Sequence, residues 1–310
     1  MSKFRTGIEL LKDPRRLVKI LGDKQFFNWL PDEQYLGLVF WAETGTKLDL
    51  DNPKTFNEKL QWIKIHDRKP EYSTYVDKYA VREYIEKTIG EKYLIPLIGV
   101  YGSAEEIPWD KLPKQFVLKC THGSASNIIC KDKHKLDIEE SKRRLTRWMN
   151  KNWFWFGREW PYKNVEPRII CEEYISNSDT VPNDLKVMCF NGEARLIELH
   201  IDRFSSRHTQ DFYDVNWRRT QISQGGSFAT QSPVLVPKPA CFDEMLRLSN
   251  FLARDKYHVR IDWYEVNGRL YFGEITFFDG SGFALFDNPE DDLMLGSWID
   301  LTMGRQKGSQ

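Results

Sequence analysis

Two acids near the C-terminal end of the chain, Asp262 and Glu274, have the type and spacing to hold a metal ion. They lie in the stretch VRIDWYEVNGRLYFGEITFFDGSG, residues 259–282, which predicts a β-hairpin with strands over 260–264 and 270–276. Register decides whether the two acids meet. A two-residue Asn267-Gly268 turn pairs Asp262 with Gly273 and sends Glu274 to the opposite face. A three-residue loop, Val266-Asn267-Gly268, pairs Asp262 with Phe272 and leaves Glu274 on the same face, one diagonal step away. A shared site therefore calls for the longer loop. Two neighbouring carboxylates repel unless a positive charge lies between them, so removing the charge of Glu274 is expected to relieve strain. Arg260 can supply that charge, and so can Mg²⁺, a hard cation that prefers carboxylate and phosphate oxygens. The plainer reading is a pair of solvent-facing hairpin acids.

Several cations precede this hairpin. Lys78 and Arg82 fall in the first turn of a predicted helix capped by Asp77 and stopped by Gly90, with Glu83 and Glu86 available to neutralise them. Two cations at the positive end of a helix dipole are otherwise suited to an anion. Lys119 lies in an apolar predicted strand, 116–120, and a buried lysine needs an anionic partner. The small, hydroxyl-rich segment THGSASN, 121–127, follows, a fit for a loop over phosphates but not a Walker A loop. Residues 168–175 predict a strand that turns polar at its end, and Lys186 sits in the first strand of a hairpin around Asn191-Gly192.

The remaining elements must position these groups. Asp13-Pro14 starts a short helix and Gly22 stops it; its Arg15, Arg16 and Lys19 beside Leu17, Val18 and Leu21 admit either docking on its own domain or contact with a membrane surface. Thr55 and Glu58 form a capping box for a helix with Phe56, Leu60 and Ile63 on its apolar side and Lys64 on its outer face. Asp137 caps a polar amphipathic helix, and a further helix is predicted over 242–254.

The chain is long enough, at 310 residues, for one large domain or two. Its 45 basic and 45 acidic residues cancel, which excludes a broad nucleic-acid-binding surface. Five cysteines without C-x-x-C spacing predict reduced, buried thiols and a cytoplasmic protein, not a disulfide framework or a zinc site. No apolar run reaches the length of a membrane span, and the N-terminus has no signal-peptide pattern.

Phosphate-binding cations, an edge for adenine and metal-binding acids, in that order, are what an ATP site needs. The order resembles the ATP-grasp superfamily. More closely, KTFNEK at 54–59, the run from Phe116 to Gly123, and the run from Gly273-Glu274 to Gly282 resemble the TupA-like ATP-grasp family, associated with teichuronopeptide and capsule polysaccharide synthesis. The resemblance spans roughly Pro31 to Leu301. It implies an α+β fold in which two β-rich subdomains clasp ATP: a helical region at 1–98, a small lobe with the glycine loop at 99–180, and a large lobe with the metal hairpin at 181–310. It implies that Lys78 and Lys119 hold phosphates and that His122, Gly123, Ser124 and Ser126 form the lid. Glu172, Glu173, Tyr174 and Ile175 become the hinge against adenine, with Lys186 lining the same cleft. Asp262 and Glu274 carry Mg²⁺. The usual E-x-N ending is here Glu274-Ile275-Thr276, so Thr276 is a weaker third ligand.

Three functions follow from this. The first is an ATP-dependent carboxylate–amine ligase that joins an amino acid or other amine to a sugar carboxylate, nucleotide- or lipid-linked, through an acyl phosphate; Arg203, Arg207 and His208 are then candidates to hold the carboxylate. The second is a sugar kinase or glycosyltransferase, for which the D-x-D of Asp49-Leu50-Asp51 is poorly placed in a turn. The third is a non-catalytic nucleotide-binding protein, for which Thr276 is the main support.

Overall fold

The computed structural model describes residues 13–177, 182–203, 205–225 and 230–303. Helix α1, Pro14–Asp23, is capped by Asp13, whose carboxylate accepts from the Arg16 amide. It docks on α2, Asp32–Thr44: Arg15 donates to the carbonyls of Ala42 and Glu43, and Lys19 pairs with Glu43. Cations at the C-terminal end of a helix are favourable there, so Arg15 and Lys19 of α1 are engaged within the protein, while Arg16 is exposed. No helix among the described residues is long and apolar enough to cross a membrane.

Helix α3, Phe56–His66, begins with the expected capping box of Thr55 and Glu58. Its Phe56, Leu60 and Ile63 enter the main core. A second stripe of the same helix, Asn57, Gln61 and Lys64, is also buried and faces the 3₁₀ turn Asp279–Gly282. Gln61 donates to Gly282 O at 2.7 Å and Asn57 to Ala284 O at 2.8 Å. Gly282 has φ +66°, and a Cβ there would lie 2.3 Å from Gln61 Nε2; only glycine fits. Lys64, expected on the outer face, is fully buried and donates to the carbonyls of Gly157 at 2.6 Å and Ser281 at 2.8 Å. Helices α4, Tyr72–Val76, and α5, Ala80–Thr88, follow.

Among the described residues, nine strands form two sheets, antiparallel throughout. The four-stranded sheet has the order β1 Leu97–Tyr101, β4 Ile169–Glu173, β2 Phe116–Cys120, β3 Asn127–Cys130. One face of β2 packs Phe116, Leu118 and Cys120 with Leu145 of α6, Ile138–Met149. Period-two alternation puts Val117 and Lys119 on the other face. A short helix, α7, Phe154–Gly157, follows α6.

The five-stranded sheet has the order β7 Thr209–Asp214, β6 Glu193–Ile201, β5 Asp184–Phe190, β8 His258–Val266, β9 Arg269–Thr276. Leu185, Val187, Ile197, Ile261 and Trp263 lie on one face, where Trp263 Nε1 donates to Ser249 Oγ of α8, Phe242–Ala253, at 2.9 Å. Helix α9, Pro289–Ser297, packs on α3.

The β8–β9 turn has two residues, not three: Val266 pairs with Arg269, and Asn267 and Gly268 have φ 51° and 75°, as a type I′ turn requires. A β-bulge then resets the register, so that Trp263 pairs with Phe272 but Asp262 with Glu274. The extra residue is Gly273, whose Cβ would lie 3.0 Å from Asp262 O. The bulge does what the longer loop was expected to do, and places the two acids directly opposite each other.

Candidate active site

One face of the five-stranded sheet is polar. Lys186 stands across from Glu198 on one side and Asp262 on the other, and Asp262 stands across from Glu274. Four successive strands thus carry acid, lysine, acid, acid in one row. Arg260, two residues along β8, supplies the balance. Its guanidinium reaches Asp262 at 2.7 and 3.0 Å and Glu274 at 3.5 Å, and forms an ion pair with Asp279. Lys186 Nζ lies 2.7 Å from Asp262 and 3.4 Å from Asp184. Burial alone would raise the pKa of Glu274, but Lys78, Lys186 and Arg260 hold it well below the usual carboxylate range.

Lys78 lies ahead of α5, not in its first turn, and Asp77 accepts from the amides of Tyr79 and Ala80. Lys78 Nζ bridges Glu274 at 3.1 Å and the Gly123 carbonyl at 2.7 Å, tying the glycine loop to the acidic hairpin. Glu83 and Glu86 do not neutralise this pair of cations. Arg82 and Lys119 instead converge on Glu172, at 2.8 and 2.7 Å.

In the loop after β2, only Ser124 and Ala125 are exposed. His122 is buried, with Nε2 3.2 Å from Trp148 O, and burial lowers its pKa. Ser126 is also buried, while Gly123 lies under the Trp153 ring. Of the four expected lid residues, Ser124 alone lines the larger cavity.

Two hollows flank this network. A cavity of about 310 Å³ is bounded by Lys186, Glu198, Arg203, Arg260, Glu274 and Thr276. An apolar cleft of about 70 Å³ lies on the open face of the four-stranded sheet, between Val117 and Ile129 below and Tyr174 and Ile175 above. Lys119, Glu172 and Glu173 stand at its edge. Lys186 was expected to line that cleft and lines the larger cavity instead. Glu172 spends its carboxylate on Arg82 and Lys119. Arg203 lines the larger cavity, ion-paired with Asp184. Arg207 is 81% exposed and pairs with Asp202, away from the cavity. His208 contacts His200, Nε2 to Nδ1 at 2.8 Å.

Sequence reasoning missed two groups here. One is the set Glu198, His200 and Gln210, joined by bonds of 2.7 and 2.6 Å to Glu198 Oε1. The other is the buried pair Lys64 and Glu159, bridged by Ser281, whose Oγ donates to Glu159 at 2.8 Å. Burial pulls the Lys64 pKa down to about 7 against the pull of Glu159. The polar alternation in 184/186, 198/200, 260/262 and 274/276 was visible in the sequence and marks one sheet face.

The donor set suits Mg²⁺, which binds through one or two carboxylates plus substrate phosphates. Asp262 and Glu274 face each other, and Thr276 Oγ1 lies 2.9 Å from Glu274 Oε1. Among the described residues, no three or more His, Cys, Asp or Glu side chains form a metal-holding group by themselves.

The model of the TupA-like ATP-grasp family matches residues 58–300. Solved structures similar to this chain include D-alanine–D-alanine ligase from Bacillus anthracis complexed with ATP: 15% identity, TM-score 0.38, covering 66% of this chain and 55% of that one. The D-alanine–D-alanine ligase from Helicobacter pylori is 12% identical, with TM-score 0.39 and coverage of 80% and 70%. N5-carboxyaminoimidazole synthase from Aspergillus clavatus, in complex with ADP and its ribonucleotide, is 13% identical, with TM-score 0.36 and coverage of 66% and 44%. The chain thus spans about half the length of the first and third of these. A comparison with curated proteins gave no match.

Proposed function

We infer, since this chain belongs to the TupA-like ATP-grasp family, that it is an ATP-dependent ligase joining a carboxylate to an amine in surface-polysaccharide synthesis. The observation that carries this reading is the row of opposed charges across β6, β5, β8 and β9, set between an apolar cleft and a polar cavity. Adenine is assigned to the cleft beside Tyr174 and Ile175. The triphosphate then runs past Lys119, Lys78 and Lys186. Glu274, Asp262 and Thr276 would hold Mg²⁺, which would supply positive charge to the triphosphate. Arg203 orients the carboxylate substrate in the larger cavity. Its oxygen attacks the γ-phosphorus and ADP leaves; the neutral amine nitrogen then attacks the acyl carbon, phosphate leaves with the C–O electron pair, and the proton lost from nitrogen passes to the departing phosphate. Phe156 and Trp153, which line the cavity, keep water from the acyl phosphate. Consumption of ATP and five free thiols, four of them buried, support a cytoplasmic setting.

A screen of ADP release over amino acids and UDP-uronic acids tests the reading. ADP and amide are expected only when both a carboxylate and an amine are present. ADP release with phosphorylation of a sugar hydroxyl, and no need for an amine, would replace the ligase by a kinase.

A further inference from the structure

The cavity contains an anion that this mechanism leaves unused. Glu198, on β6, is 4% exposed and lines the cavity across from Lys186. Its Oε1 accepts from His200 Nε2 at 2.7 Å and Gln210 Nε2 at 2.6 Å. His200 is braced in turn by His208 at 2.8 Å, and Gln210 Nε2 also donates to Gln224 Oε1 at 3.0 Å. The side chain is therefore fixed through one oxygen by residues of β6, β7 and the loop beyond. The other oxygen, Oε2, is buried and has no hydrogen-bond partner among the described residues. A buried acceptor without a donor is costly to keep, and the neighbouring groups do not supply one: Lys186 is spent on Asp262 and Asp184, and Arg260 on Asp262 and Asp279. Burial would raise the pKa of Glu198, but the bond from His200 and the charges of His200, Lys186 and Arg260 hold it well below the usual range. The group is an anion at neutral pH, with one rigidly aimed oxygen to spare.

We propose that Glu198 Oε2 is the recognition site for the amine substrate, which it receives as an ammonium ion. The proposal rests on the ligase reading and narrows its substrate class to nucleophiles that arrive cationic, such as an amino acid, over sugar hydroxyls. His200, Gln210 and His208 are positioning residues that hold Oε1.

The test uses the full chain with MgATP, UDP-glucuronic acid as carboxylate, and two kinds of nucleophile. One is an equimolar mixture of the twenty common amino acids; the other is hydroxylamine, which is mostly uncharged at neutral pH. Glu198→Gln is expected to raise the KM for the amino-acid mixture by about 10- to 100-fold, the value of one charge-assisted contact. Hydroxamate formation with hydroxylamine should stay within about twofold, well under one charge-assisted contact. Equal loss with both nucleophiles, or loss with neither, overturns the proposal. So does a Glu198→Gln protein whose melting temperature no longer rises with MgATP, since Glu198 would then belong to the nucleotide site. A wild type that releases no ADP with either nucleophile sinks the ligase reading itself and takes the proposal with it. If the variant does not fold, competition in the wild type decides: lactate and glycolate, which carry a hydroxyl where alanine and glycine carry the ammonium, should fail to compete with the amino-acid mixture. Competition by these hydroxy acids as strong as that of alanine and glycine overturns the assignment.

Discussion

At the scale of single residues, the environment of Glu274 reverses an expectation. Two facing carboxylates suggest repulsion, but Lys78 at 3.1 Å, Arg260 at 3.5 Å and the Thr276 hydroxyl at 2.9 Å make the surroundings of Glu274 favourable to an anion. Glu274→Gln should therefore lower stability, by about 1–3 kcal/mol, because it strips two cations of a partner. It should also abolish MgATP-dependent turnover. Urea denaturation without nucleotide checks the first part; a variant as stable as the wild type would mean that these contacts are solvated and weak. Lys119 allows a second test. Its ammonium is mostly buried and held 2.7 Å from Glu172 at the edge of the apolar cleft, whereas Lys87 is paired with Glu83 on an exposed helix face. Lys119→Ala should weaken MgATP binding by about 10-fold or more and Lys87→Ala by less than about twofold, measured by calorimetric titration. Lys64 is no fair reference for this comparison, since it is buried against Gly157 and Ser281.

At the scale of elements, the acidic hairpin depends on a single inserted glycine. Gly273→Val would place a branched side chain where even a Cβ meets Asp262 O at 3.0 Å and Tyr264 Cε2 at 3.2 Å. Strand β9 should then either distort or lose the bulge, sending Glu274 to the other face. Loss of MgATP-induced thermal stabilisation, with the far-ultraviolet circular dichroism retained, is the expected result; retention of both would show that the bulge tolerates a side chain. The hairpin was legible in the sequence because Asn267-Gly268 is a strong turn signal, but a bulge leaves no comparable mark on composition. Its one trace was the glycine beside the acid, which reads equally well as an ordinary strand residue. Helix α3 was legible for a similar reason, since Thr55 and Glu58 cap it locally. Its second buried stripe was not, because Asn57, Gln61 and Lys64 are polar and their partners, the carbonyls of 281–284, are backbone groups that carry no sequence signature. The same holds for the loop after β2: His122 looks like a ligand by type, and its carbonyl partner on Trp148 depends on how α6 packs.

At the scale of the whole molecule, the two sheets were readable from strand periodicity and turn signals, while the ion pairs between distant segments were not. Lys78 with Glu274 and Arg82 with Glu172 join parts of the chain that only the finished fold brings together. The grip of α3 on the turn at Asp279–Gly282 belongs to this class, and it has a kinetic consequence. Gln61 and Ser281 are 220 residues apart, and closing so long a loop delays contact formation. The floor of the cavity should thus be among the last features to form. In refolding experiments, burial of Trp263 within its sheet, followed by fluorescence, should precede recovery of nucleotide binding. Simultaneous recovery would mean that α3 and the turn dock while the sheet is still forming. During synthesis the order is stricter: α3 can cap and coil as soon as it leaves the ribosome, but Asn57, Gln61 and Lys64 must wait for nearly the entire remaining chain before the carbonyls they bind exist.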